Sequence, residues 1–300
     1  MQISPSLGAR KRMRRENLIG YAYILPAILF FVSFVVFPMG MALVTSFTDY
    51  SMNSFNFIGL ANYSRMLQDK IFGKAMLNTF MIVLISVPTV TLFSLWVASL
   101  VYKMSKQASS FFRIVFYMPI VTGTVAVTVV WKWMFSRYNG LLNYVFQSLG
   151  LINSNISWLG DASYAIWCII LILFTTSIGQ PIVLYISALA NVDHSLVEAS
   201  EVDGANSFQL FWKIKWPQIM NTTLYILVIT TINSFQIFAL IQLLTSGGPN
   251  NATNTIMYNI YYHAFKLNEY GYGNAMGIIL AIVIGLFSIM QFRLARSDNE

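Results

Sequence analysis

Six apolar stretches, each long enough to cross a lipid bilayer as a helix, fill most of this 300-residue chain, at about 18–47, 75–102, 111–135, 164–190, 217–244 and 271–294. None contains an aspartate or glutamate, and their lysines and arginines sit at the ends. Lipid offers no partner to backbone N–H and C=O groups, so each stretch has to satisfy its own backbone as a helix. The fold class is therefore all-α, an integral membrane bundle of six transmembrane helices. A chain that is 57% hydrophobic and 10% charged is too apolar for a soluble domain. The first stretch is too long for a signal peptide's apolar region and lacks a small-residue cleavage site, so it reads as a retained span, with Pro26 and Pro38 predicting kinks.

The net charge of +7 does not point to nucleic acid, because the basic residues flank apolar runs and form no basic surface interleaved with aromatics. Six spans put both termini on one side. Twelve Lys and Arg then fall on the side of the termini, the 103–113 linker and the 193–217 loop, against six on the other side, which predicts cytoplasmic termini in a multi-pass protein of the cell membrane. The organisation expected is a basic cytoplasmic segment at 1–17, a transmembrane domain at 18–295 and a cytoplasmic tail at 296–300. The outer segments are predicted at 48–74, 136–162 and 250–270, the second with a short interfacial helix near 141–149. Cys168 is the one cysteine, so neither a disulfide nor a cysteine metal cluster is expected.

Between the fourth and fifth stretches lies a polar island, 193–217, with four of the eleven acidic residues between Asp193 and Asp203. Ser195 and Glu198 have capping-box spacing, Gly204 is a natural helix stop, and Ser207 can cap a second helix carrying Phe208, Phe211, Trp212 and Ile214. Pro217 then ends the segment or opens the next span. The expectation is a cytoplasmic helix–Gly–helix loop.

Glu198, Ala199, Asp203, Gly204, Ala205, Phe211, Ile214 and Pro217 resemble the signature of permease subunits of binding-protein-dependent ABC importers, with Ser200 in place of a signature alanine and Trp216 in place of a leucine. Ile58 to Tyr63, Trp131 to Phe135 and Gly140 to Asn143 resemble outer segments of that family, and Leu240 to Pro249 followed by Ala252 and Thr253 is similar to its maltose-type carbohydrate members. The resemblance implies that 193–217 is the coupling helix region that docks an ATPase subunit. It also implies a second permease, two ATP-binding cassette subunits, an extracytoplasmic solute-binding protein and a sugar or oligosaccharide substrate.

The chain carries no phosphate-cradling Gly-rich motif, and buried carboxylates for an ion relay are absent from the spans, so the energy has to come from another subunit. His194 and His263 lie far apart outside the spans; neither a metal site nor a cofactor is expected, and no covalent chemistry. The fifth span places Thr230, Asn233, Ile237 and Gln242 near one face, flanked by Ser234 and Gln236, and the fourth adds Thr176 and Gln180 beside Pro181. Uncharged amides and hydroxyls suit a neutral polyol. The resemblance implies substrate contacts near Thr230, Asn233, Ser234, Gln236 and Ile237; the same groups could instead only join helices. An integral membrane enzyme, a receptor or a channel on the same bundle are the readings from other classes.

Overall fold

The computed structural model describes residues 7–297, with side chains from Glu16 to Leu294. Most of the basic 1–17 segment and of the 296–300 tail is thus outside the described side chains. Among the described residues there is no strand, only an isolated antiparallel bridge between Thr48 and Phe57.

Helix α1, Leu7–Phe31, continues through a π-helical stretch, Val32–Val36, into α2, Phe37–Thr45; Pro38, which lacks a backbone donor, sits in the first turn of α2, just past the π-helical stretch. A short α3, Ala61–Gln68, precedes α4, Lys70–Val101. The third stretch is not one straight helix. It forms α5, Lys106–Val121, and α6, Thr124–Met134, bent by 93° at Gly123, whose φ of 81° only glycine adopts without strain. Pro119, one turn earlier, already lacks a backbone donor.

After the interfacial α7, Leu141–Ser148, the fourth stretch is α8, Ala162–Ser177, and α9, Gly179–Ala190, meeting at 41° with Pro181 in the first turn of α9. Then come α10, His194–Val202, and a short α11, Ser207–Gln209, which runs through a π-helical stretch, Leu210–Lys215, into α12, Trp216–Phe235. The chain closes with α13, Ala239–Leu244, α14, Ile256–Tyr261, and α15, Tyr270–Ser297. Four helical segments are long and apolar enough to span a membrane, 16–45, 70–101, 207–244 and 270–294, and the two bent pairs bring the number to six.

The acidic residues that the sequence keeps out of the spans open helices. Asp69 accepts from the amides of Ile71 and Phe72 at the start of α4, and Asp161 from Ser163 at the start of α8. Helix α4 is the central pillar, packed against α8, α9 and α12. It contributes Ile82, Val90 and Phe72 to three buried clusters: one around Ile169, Ile172 and Ile241, one around Tyr185, Ile186 and Ile219, and one around Phe235, Met276 and Ile256. Inside lipid such packing gains little from leaving water, so close van der Waals fit carries it. At Gly179 the fit is tight enough that a Cβ would stand 2.3 Å from the Phe116 carbonyl oxygen. The first span differs: none of its most apolar window is buried within the chain.

Candidate functional site: a polar groove and a terminal loop

The broken third stretch makes room for a groove. Two adjoining cavities, of about 170 and 440 Å³, share Ile120 and Thr176. The first is lined by Thr176, Gln180, Pro181, Tyr225, Thr230 and Asn233, the second by Pro119, Thr124, Gln236, Ile237 and Phe238, among others. Of the residues singled out in sequence, Thr176, Gln180, Thr230, Asn233, Gln236 and Ile237 are brought together here. Ser234 is not: it is 1% exposed, turned into the packing beside Phe235. Gln242 also leaves the face, because α12 stops at Phe235 and α13 starts afresh at Ala239.

That break has no proline or glycine behind it. From outside the helix, the Thr255 hydroxyl donates to the Ile237 carbonyl within the break at 3.2 Å. It is the break that faces Gln236 and Phe238 into the second cavity. The contribution of α5 and α6, through Pro119, Ile120 and Thr124, was missed in sequence; the pairing of Pro119 with Gly123 was the available signal.

Three amides face this groove without a partner. Among the described residues, the side chains of Gln180, Asn233 and Gln236 make no hydrogen bond to protein, and all three are exposed. Thr176, by contrast, donates to the carbonyls of Ile172 and Leu173 at 3.0 and 3.1 Å and keeps its lone pairs for an incoming donor. Both cavities are lined without a single Asp, Glu, Lys, Arg or His.

At one end of the bundle stands the 193–217 loop. Its first helix is not capped as expected. Asp193, rather than Ser195, is the cap: its carboxylate accepts from the Ser195 amide at 2.9 Å and from the Ser195 hydroxyl at 2.7 Å, and these bonds hold its pKa below the ordinary value. The capping box with Glu198 does not form, because the helix starts before Ser195, which lies in its first turn with amide and hydroxyl both bonded to Asp193. Ser207 does not cap either. Asn206 does, exchanging bonds with Gln209 in a full capping box.

Gly204 behaves as expected, with φ of 79°. The Ala205 amide donates to Ser200 O at 3.0 Å and the Gly204 amide to Glu201 O at 3.1 Å, the paired closing bonds of a Schellman motif. Pro217 lies in the first turn of α12. The second helix of the loop is therefore continuous with a membrane span, while α10 hangs between two turns. Phe211 and Trp216 pack toward the bundle, and the Gln218 side chain accepts from the Asp193 amide at 3.0 Å. Glu198, Ala199, Asp203 and Gly204 stay exposed, and so do Val202 and Phe208, at 88% and 72%. Ser200, Ala205 and Ile214 are half-buried. The loop tip thus carries bare apolar side chains among acidic ones.

The described residues form a helical bundle with membrane-length spans, a polar groove and a capped loop at one end, an architecture compatible with a permease. The sequence matches the family described as "Binding-protein-dependent transport system inner membrane component" over residues 58–297, and the chain belongs to that family. It is 32% identical to the probable ABC transporter permease protein YesP of Bacillus subtilis (strain 168), covering 94% of this chain and 92% of the relative. It is 31% identical to the multiple sugar-binding transport system permease protein MsmF of Streptococcus mutans, covering 92% and 95%. A subunit of a bacterial ABC transporter that imports alginate shares the fold, with a TM-score of 0.84 over 97% of this chain and 99% of that one, at 23% identity. The chain is thus a transmembrane permease subunit of an ABC importer and a transport component, not an enzyme.

Proposed function

We propose that this permease carries a neutral sugar or oligosaccharide through the groove between α5, α8, α9 and α12. The observation that carries the reading is the set of unpaired amides, Gln180, Asn233 and Gln236, in a groove lined by no ionisable group except the phenol of Tyr225. Carboxamides donate and accept, which is what a ring of hydroxyls requires, and Tyr225, Phe238 and Ile120 offer apolar faces to sugar C–H groups. A charged saccharide would find no counter-charge on this subunit's side of the groove. The name of the Streptococcus mutans relative, a multiple sugar-binding transport permease, supports the class.

In this reading a second permease supplies the other half of the pathway, and an extracytoplasmic solute-binding protein delivers the sugar. Two ATP-binding cassette subunits hydrolyse ATP, one of them docked on Glu198, Ala199, Ser200, Asp203, Gly204, Ala205, Phe211, Ile214 and Pro217. Both termini, with the 1–17 segment and the 296–300 tail, are cytoplasmic, on either side of the 18–295 transmembrane domain. The machine works by alternating access, each of ATP and the loaded binding protein favouring one of two states.

The test is uptake by the assembled transporter in proteoliposomes, with its binding protein, over a panel of labelled neutral and acidic saccharides. Uptake confined to neutral sugars and lost in Asn233→Ala/Gln236→Ala supports the reading; uptake of an acidic saccharide alone contradicts it.

A further inference from the structure

A third cavity, of about 450 Å³, lies away from the groove, between the end of α4, the end of α9, helix α10 and the π-helical stretch before α12. Its walls combine two chemistries. Leu100, Leu189, Val192 and Leu210 make an apolar lining, and Lys103 and Lys215 bring positive charge. The Lys215 ammonium donates to the Tyr102 hydroxyl at 2.6 Å and lies 5.1 Å from that ring's centre, with Lys103 at 5.9 Å from the same ring. Lys215 is half-buried, yet among the described residues neither lysine forms an ion pair. Glu201 and His194 also line the cavity, and Glu201 is its one carboxylate.

A half-buried ammonium held only by a neutral phenol is under-compensated, and an anion that reached it would gain more than one bound at an open surface. Two ammonium groups that line one cavity beside the same tyrosine offer several N–H donors to the oxygens of a phosphate, and the apolar walls accept the body that carries it. We propose that this cavity binds a phosphate ester, with Lys103 and Lys215 as its ligands and Tyr102 as the residue that positions Lys215. The phosphate comes from an anionic phospholipid headgroup or from a phosphorylated metabolite; both present the same oxygens. Because Glu201 and Val197 of α10 form one wall, a bound phosphate biases the position of α10. That last link rests on the reading of α10 as the ATPase-facing helix; the binding does not.

The assembled transporter, in phosphatidylcholine nanodiscs with or without phosphatidylglycerol, separates the sources. Native mass spectrometry reads retained phosphatidylglycerol, and equilibrium dialysis reads labelled glucose 6-phosphate. One of the two should bind saturably, the first identifying lipid and the second a metabolite. Lys103→Gln/Lys215→Gln should weaken that ligand roughly tenfold or more, and Lys215→Arg should keep most of the binding. Retention of neither ligand, or binding untouched by the double substitution in a complex that still assembles, overturns the proposal. Phosphate binding lost in the double substitution with coupled ATP hydrolysis unchanged would strike only the link to α10 and leave the binding site standing.

Discussion

Asp193 and Asn233 show what single side chains do here that spacing alone does not reveal. Because Asp193 caps α10, Asp193→Ala should loosen the start of the loop, read as faster limited proteolysis, while Glu198→Ala should leave proteolysis unchanged and weaken only the hold on the ATPase. In the groove, Asn233→Ala or Gln236→Ala should each reduce uptake about fivefold, the loss of about 1 kcal/mol of hydrogen bonding to a sugar hydroxyl, while Ser234→Ala, buried away from the cavity, should transport within twofold of wild type. Equal effects at 233 and 234 would mean that the polar residues of α12 serve packing rather than substrate. Spacing could not tell Ser234 from its neighbours, because a helical face wide enough to hold Thr230 and Asn233 also passes close to residue 234.

Among elements, the joint at Gly204 is the most exacting. A Cβ there would meet nothing within 4 Å, so any cost comes from the backbone and not from crowding. Gly204→Val should cost at least about 1 kcal/mol and redirect α10 against α11, giving an inserted protein that loses its ATPase on purification or hydrolyses ATP without response to substrate; Gly204→Asn should be milder. At the opposite end, Arg65 donates to Glu269, which also accepts from His263 Nδ1 at 2.7 Å, and Tyr272 donates to Asp69 at 3.0 Å, tying α3, α4 and α15 together.

Burial raises the pKa of Glu269, but the bonds from Arg65 and His263 more than offset it, so the carboxyl stays below its ordinary 4.5. A depressed carboxylate stabilises the fold above its unfolded pKa and ceases to do so as pH falls through the folded value. The melting temperature in detergent should therefore hold from neutral pH down to that range and then fall, and Glu269→Gln should flatten the acid limb. The existence of the spans and of the Gly204 stop was legible because apolar length and glycine are local signals. The 93° turn in the third stretch was half legible, from Pro119 and Gly123. The break after Phe235 was not, since no proline or glycine marks it and its bond from Thr255 comes from outside the helix.

On the scale of the whole molecule, α4 and the helices packed on it form the core, with α5 packed on α9 and α8, α6 bent away from it beside the groove, and α10 held between two turns at one end. The groove's amides lie on α9, on α12 and at the break after α12, so alternating access would require α5 and α6 to shift against them.

Its most direct test uses the lone cysteine. In a Cys168→Ser background, Asn233→Cys and Ser234→Cys are treated with a water-soluble maleimide in the reconstituted transporter with its binding protein. The account predicts that Asn233→Cys is labelled, that the transported sugar slows this labelling, and that Ser234→Cys stays unlabelled. Labelling of Asn233→Cys that proceeds at the same rate with and without sugar, in a transporter that still takes sugar up, would contradict it.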